Sequence, residues 1–206
     1  MAWISHAFTP LRATAMMAPE IRPAVEVDLP GILAIYNHYV LHTVTSFLIQ
    51  EADLAYVQAS FERAKERGLP YFVAAQEGEV VGYAYASPFR GFMLGYGHSV
   101  EITIFLHPIH TKKGLGSLLM KALLDALKGG KHVGQEAAHE DHTVEFDVWN
   151  VLAIMSIDNE SEDGTFGMGL RDWYEKWGFK VVGRLEGIGF KQGRRLDTMY
   201  MQLKLR

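Results

Sequence analysis

Cysteine is absent from all 206 residues, so disulfides, thiolate nucleophiles and cysteine-ligated zinc are excluded. Positive charge is not in excess: 20 basic and 24 acidic side chains give a formal net charge of -4. That balance offers no electrostatic footprint for nucleic acid and points to a small-molecule partner. No apolar run reaches membrane-spanning length. Two nucleotide-binding signatures are also missing, the Gly-x-x-x-x-Gly-Lys-Ser/Thr loop and a Gly-x-Gly-x-x-Gly after a strand, which disfavours P-loop and Rossmann-type binders. The remaining composition, 49% hydrophobic and 21% charged in 23.1 kDa, suits one globular domain with a substantial core.

The most informative stretch present is Thr111-Lys112-Lys113-Gly114-Leu115-Gly116-Ser117. An apolar strand over residues 100–106 enters it through His107-Pro108, and a periodic helix leaves it with Leu115, Leu118, Leu119, Ala122, Leu123 and Ala126 on one face. Glycines at a helix start let backbone N–H groups approach an anion, and the unpaired amides and helix dipole favour negative charge there. Lys112 and Lys113 add charge to the same turn, as a diphosphate requires.

Hydrophobic periodicity predicts a first strand at residues 21–24, a helix to about Tyr39 with Asp28 as N-cap, and a second helix over residues 52–67. Strands follow at 71–75, 80–86, 100–106, 148–157, 180–185 and 198–205, with a short helix at 170–177. Residues 129–147 read as a polar insertion loop and 158–169 as a second polar insertion. The order β-α-α-β-β-β-α-β-α-β-β implies an α/β protein, a mixed sheet with helices on its faces. Glu101 breaks the apolar pattern of its strand; it is either solvated near an edge or placed for chemistry.

Taken in order, Ile21-Arg22-Pro23-Ala24, Ile32-Leu33-Ala34-Ile35-Tyr36-Asn37, Val81-Gly82-Tyr83-Ala84, Ser99-Val100-Glu101, Gly114-Leu115-Gly116-Ser117, Tyr174-Glu175-Lys176-Trp177-Gly178-Phe179, Gly189-Phe190-Lys191-Gln192-Gly193, Asp197 and Gln202 resemble the GNAT acyltransferases. The narrower resemblance is to the phosphinothricin N-acetyltransferase group. It covers about residues 20–205 and implies a mostly antiparallel central sheet flanked by helices.

The resemblance further implies acetyl-CoA as co-substrate, its pyrophosphate on Lys112, Lys113, Gly114, Leu115, Gly116 and Ser117. The pantetheine arm would lie along the backbone near Phe105 and Leu106, with Asn159 close to the cofactor. It also implies a homodimer and places Tyr174 where many of these enzymes carry an acid for the leaving thiolate. Thr111 departs from the usual Arg or Gln, and both insertions are longer than the group's usual connections.

Amine acetylation needs a base, since a free amine near neutral pH is mostly protonated. Glu101 is the candidate, and Phe47, Arg90 and Tyr96 lie on loops expected to face it, with Arg90 suited to an acceptor carboxylate. The expected reaction is N-acetylation of a small amino acid or analogue such as phosphinothricin or methionine sulfoximine. The alternatives are an acyl-CoA-binding module with another amine acceptor or no catalysis, and a metal-binding loop built on His132, His139 and His142 with Glu136 and Asp141. No metal, nucleic acid or membrane is expected as a partner, and the expected location is cytoplasmic. Residues 1–19 read as a disordered extension before one domain over 20–206; having no acidic side chain and one arginine, they also faintly resemble an organellar transit peptide.

Overall fold

A computed structural model describes residues 18–91, 93–136, 139–161 and 167–206; the extension over 1–17 and the centre of the second insertion lie outside the described residues. Seven strands form one sheet in the order β1-β2-β3-β4-β7-β9-β8: β1 Glu20–Pro23, β2 Tyr71–Gln76, β3 Glu79–Pro88, β4 Ser99–Leu106, β7 Asn150–Ile157, β8 Lys180–Lys191 and β9 Arg194–Lys204. Every neighbouring pair is antiparallel except β4 with β7.

Side chains paired directly across strands share a face. One face carries Tyr71, Tyr83, Tyr85, Thr103, Glu101 and Phe105. Two helices, α1 (Leu29–His42) and α2 (Leu54–Glu66), cover that face, with Phe61 edge-on to Tyr71 and Tyr36 edge-on to Phe105. Asp53 caps α2 by accepting from the Tyr56 N–H at 2.9 Å. On the opposite face lies α3 (Leu115–Gly129). Its buried stripe is Leu115, Leu119, Met120, Leu123, Leu124 and Leu127, rotated from the expected one, so that Leu118 faces solvent. Each fully buried leucine there contributes roughly 1.5–3 kcal/mol, which fixes the helix and with it the turn at its start. The last helix, α4 (Met168–Glu175), precedes β8.

Two expectations need correction. Asp28 does stand at the N-cap position of α1, but its side chain does not cap the helix: the carboxylate instead accepts two 2.7 Å hydrogen bonds from Arg22 and one of 2.9 Å from the Val25 N–H. A bidentate charged pair outcompetes a single helix amide. In place of the expected loop over 129–147, residues 131–136 and 139–147 are paired strands, with β5 (Lys131–Glu136) and β6 (His139–Asp147) forming a second sheet. The buried positions of β5 are His132 and Gly134, residue types outside the β-branched, Tyr, Phe and Trp set that marks a strand face.

Candidate active site

The parallel pairing of β4 with β7 runs only from Ser99 opposite Asn150 to Ile102 opposite Ala153. Beyond it β4 continues along β3 to Leu106, and β7 continues along β9 to Ile157 opposite Asp197. The sheet therefore splits into two arms with a wedge between them. At both ends of β4 the ladder to β3 uses odd-numbered residues, since Phe89 N–H donates to Ser99 O at 3.1 Å and His107 N–H to Val81 O at 2.9 Å. Antiparallel alternation then turns the peptides of Ile104 and Leu106 into the wedge and that of Phe105 toward β3. Of the two backbone positions expected to hold a pantetheine arm, Leu106 turns its peptide to the open edge, as Ile104 does, whereas that of Phe105 is directed at Tyr83 on β3. Phe105 contributes its ring, which packs on Tyr36, Tyr39 and Tyr83. The Tyr39 hydroxyl donates to Leu106 O at 2.8 Å, so α1 is fastened to the end of this arm.

The wedge leads to the 111–117 turn. Lys112 (φ 59°) and Gly114 (φ 82°) both take left-handed backbone, and Gly114 has the freedom that conformation requires. Ser117 and Leu118 N–H groups close on Gly114 O, leaving the Leu115 and Gly116 amides in the first turn without intrahelical acceptors. Burial, Lys113 and His107 together hold His110 below the usual imidazole range, as expected in a positive field. Thr111 spends its hydroxyl on Pro108 O at 3.0 Å, so it does not substitute for a longer donor. Open amides, two lysines and an unpaired strand edge fit the pyrophosphate and amide arm of a coenzyme A thioester.

Three elements meet at Gly116. A Cβ there would touch Trp173 of α4 at 3.6 Å and Leu106 at 3.7 Å. Tyr174, next to Trp173, is buried against Trp173 and Phe179, and burial pushes its phenol well up. Asn159 lies beyond β7 with both ends of its amide engaged: it donates to Asp197 at 2.8 Å and accepts from Arg184 at 2.7 Å. Its position beside the wedge is fixed by this network and not by a free amide.

Glu101 is half-buried, faces Ser87 on β3 and Leu152 on β7, and is pushed above the usual carboxylate range by burial. Ser87 also lines a cavity of about 430 Å³ with Arg63, Arg67 and Arg90. None of these arginines forms an ion pair with another described residue, and among the described residues Arg67, 8% exposed, makes one side-chain bond, 3.4 Å to Val133 O. Burial first and Arg63 second pull the Arg67 guanidinium down. Like charges one helical turn apart repel, so the cluster favours an anion. Arg63 and Arg67 escaped the sequence reading because on a helix they resemble an ordinary solvated face.

Phe47 lies on Gly189 of β8, whereas Tyr96 packs edge-on to Phe89 beside the Arg90 turn. The three expected acceptor residues thus belong to two separate walls. The histidines of the hairpin do not converge: buried His132 meets Gly97 O at 2.6 Å, while exposed His142 sits 3.7 Å from Glu136. Among the described residues no group of three His, Cys, Asp or Glu side chains is arranged to hold a metal.

The Acetyltransferase (GNAT) family model matches residues 32–143. The chain belongs to the GNAT acetyltransferase family. It is 32% identical to the L-amino acid N-acyltransferase MnaT of Escherichia coli (strain K12) over 90% of this chain and 93% of that protein. It is 33% identical to an L-methionine sulfoximine/L-methionine sulfone acetyltransferase of Pseudomonas aeruginosa, over 92% and 96% respectively. The crystal structure of a phosphinothricin acetyltransferase from Sinorhizobium meliloti in complex with AcCoA superposes with a TM-score of 0.74 at 30% identity, covering 91% of this chain and 89% of that one. This GNAT protein is therefore an N-acetyltransferase with acetyl-CoA as donor, which sets aside the non-catalytic alternative.

Proposed function

We propose that this GNAT enzyme acetylates the α-amino group of a small amino acid or analogue, of the kind named for its relatives: methionine sulfoximine, methionine sulfone or phosphinothricin. The observation that carries the reading is the arginine-lined cavity sharing Ser87 with the strand opposite Glu101, which suits an acceptor carboxylate held within reach of a base. Acetyl-CoA supplies the activated acyl group when bound, and Lys112, Lys113, Gly114, Leu115, Gly116, Ser117 and the Ile104 and Leu106 peptides are the groups that would hold it. Glu101 takes the proton from the acceptor ammonium, directly or through water. Tyr174 donates a hydrogen bond to the departing sulfur; its raised phenol is a weaker acid than a thiol of about 8.5 and so stabilises charge without giving up its proton. Arg90, with Arg63 and Arg67, grips the carboxylate; Tyr96 and Phe47 bound the acceptor space from opposite sides.

Residues 20–206 act as one domain in this reading, in the cytoplasm, and two copies associate. Support for association is the outer strand β8, where Val182, Ile188 and Phe190 are 55%, 64% and 69% exposed on an edge with unpaired backbone. The acceptor reading is tested by comparing methionine sulfone with its carboxamide. The free acid should be acetylated with kcat/KM about 10²-fold higher, and Arg67→Gln should narrow that ratio. Equal use of acid and amide would refute the carboxylate site.

A further inference from the structure

The two arms of the wedge have no strand pairing beyond Ile102 and Ala153, yet they are joined elsewhere. On one side α1 is fixed to the β4 arm by Tyr39 on Leu106 O and by Tyr36 against Phe105. On the other side the corner between β8 and β9 reaches back to the end of α1 and the segment after it. Lys191 is 4% exposed and donates to Ser46 O at 2.6 Å; Gln192 donates to Leu41 O at 3.1 Å. The Phe47 ring covers Gly189 so closely that a Cβ there would collide with it, and the Ser46 hydroxyl meets the Tyr36 hydroxyl at 3.1 Å.

Strand register places this corner on the acceptor face. Lys191 opposes Arg194, Thr198 opposes Ser156, and Leu152 opposes Glu101, with even spacing along each strand between these positions. Lys191 forms no ion pair among the described residues, and a buried ammonium with one carbonyl partner is costly compared with an apolar side chain of its size. A group that costs stability and is aimed at the segment roofing the wedge is better explained by what it positions.

We propose that Lys191 is a positioning residue that ties the segment carrying Ser46 and Phe47 across the mouth of the wedge, shaping the acceptor entrance and keeping water from the thioester. The proposal deepens the acceptor reading above and rests on the acceptor entering on the Glu101 face. Without the tether, water competes with the amine: the thioester carbon–sulfur bond breaks, a carbon–oxygen bond to water forms, and acetate, free coenzyme A thiol and a proton result.

The test compares wild type, Lys191→Met and Lys191→Arg with methionine sulfone as acceptor. Lys191→Met should raise the acceptor KM and the calorimetric acceptor Kd about 10-fold, leave the acetyl-CoA KM within about 2-fold, and raise thiol release without acceptor about 5-fold. Its Tm should hold or rise, and Lys191→Arg should recover part of the acceptor affinity. Phe47→Ala, a change at an exposed side chain that leaves the core intact, should raise acceptor-free release by itself. Unchanged acceptor Kd and acceptor-free release in both Lys191→Met and Phe47→Ala would overturn the proposal. So would equal rises in both KM values with a fall in Tm. A wild-type enzyme that acetylates no amino acid would refute the acceptor reading alone, because acceptor-free release still reports on the tether.

Discussion

At the scale of single residues, the proposed mechanism turns on Glu101. Its carboxyl is raised by burial, so the folded state favours the protonated form more than the unfolded chain does. Two consequences have opposite sign. The base is active only when ionised, so acceptor kcat/KM should fall as pH drops through a value above the ordinary carboxylate range. Stability runs the other way, since the folded state binds the proton more tightly and loses that advantage as pH rises through the same value. Glu101→Gln should therefore reduce turnover by about 10²- to 10⁴-fold while leaving Tm unchanged or higher at neutral pH. A parallel loss of Tm and turnover would assign Glu101 to structure. Glu101 was legible in the sequence because an acid interrupts an apolar strand. Arg63 and Lys191 were not: one looks like a solvated helix position and the other like a turn residue, and only tertiary packing shows the first beside Ser87 and the second against Ser46.

At the scale of elements, the turn before α3 and the network around Asp197 divide the labour between the two arms. Lys112→Ala with Lys113→Ala should raise the acetyl-CoA KM about 3- to 10-fold, most at low salt, with little effect on kcat. A fall in kcat alone would contradict a purely binding role. Asp197, only 4% exposed, accepts from Gly187 N–H, Asn159 and Arg184, in that way closing the bulge in β8 and holding Asn159, the second residue beyond β7. These partners, the Gly187 amide foremost, hold its carboxyl below the usual range. Its stabilisation is thus present at neutral pH and is lost as pH falls through that lowered value. Asp197→Asn should cost roughly 2–4 kcal/mol at neutral pH, and the difference from wild type, measured by denaturant unfolding, should shrink in acid.

The turn before α3 could be read from sequence because glycines, lysines and a periodic helix are all local signals. The β5–β6 hairpin could not. Its inward positions are a histidine and a glycine, and its strands are held partly by pairs such as Lys131 with Glu145, so neither hydropathy nor composition marks it.

At the scale of the whole molecule, function follows from a sheet that stops pairing at one place. Parallel β4 and β7 give the wedge; in the proposed mechanism α1 and α2 on one face frame the acceptor side, and the turn before α3, with α4 beside it, seats the donor. The fold order was legible apart from the added hairpin, whereas the wedge was not. It depends on where the pairing of β4 with β7 ends, and neither strand carries a breaker at Ile102 or Ala153. The exposed β8 strip predicts association, so light scattering should give twice the 23.1 kDa chain mass, and Phe190→Lys should shift it toward the single-chain value.

The central claim is that this GNAT enzyme moves an acetyl group to the amine of a small amino acid analogue using Glu101 as base. Purified enzyme should be given acetyl-CoA and methionine sulfone, with thiol release and N-acetylated product quantified together. The account requires the two to rise in equal amounts with wild type and to collapse together with Glu101→Gln. Thiol release without acetylated product, or full product from Glu101→Gln, would contradict it.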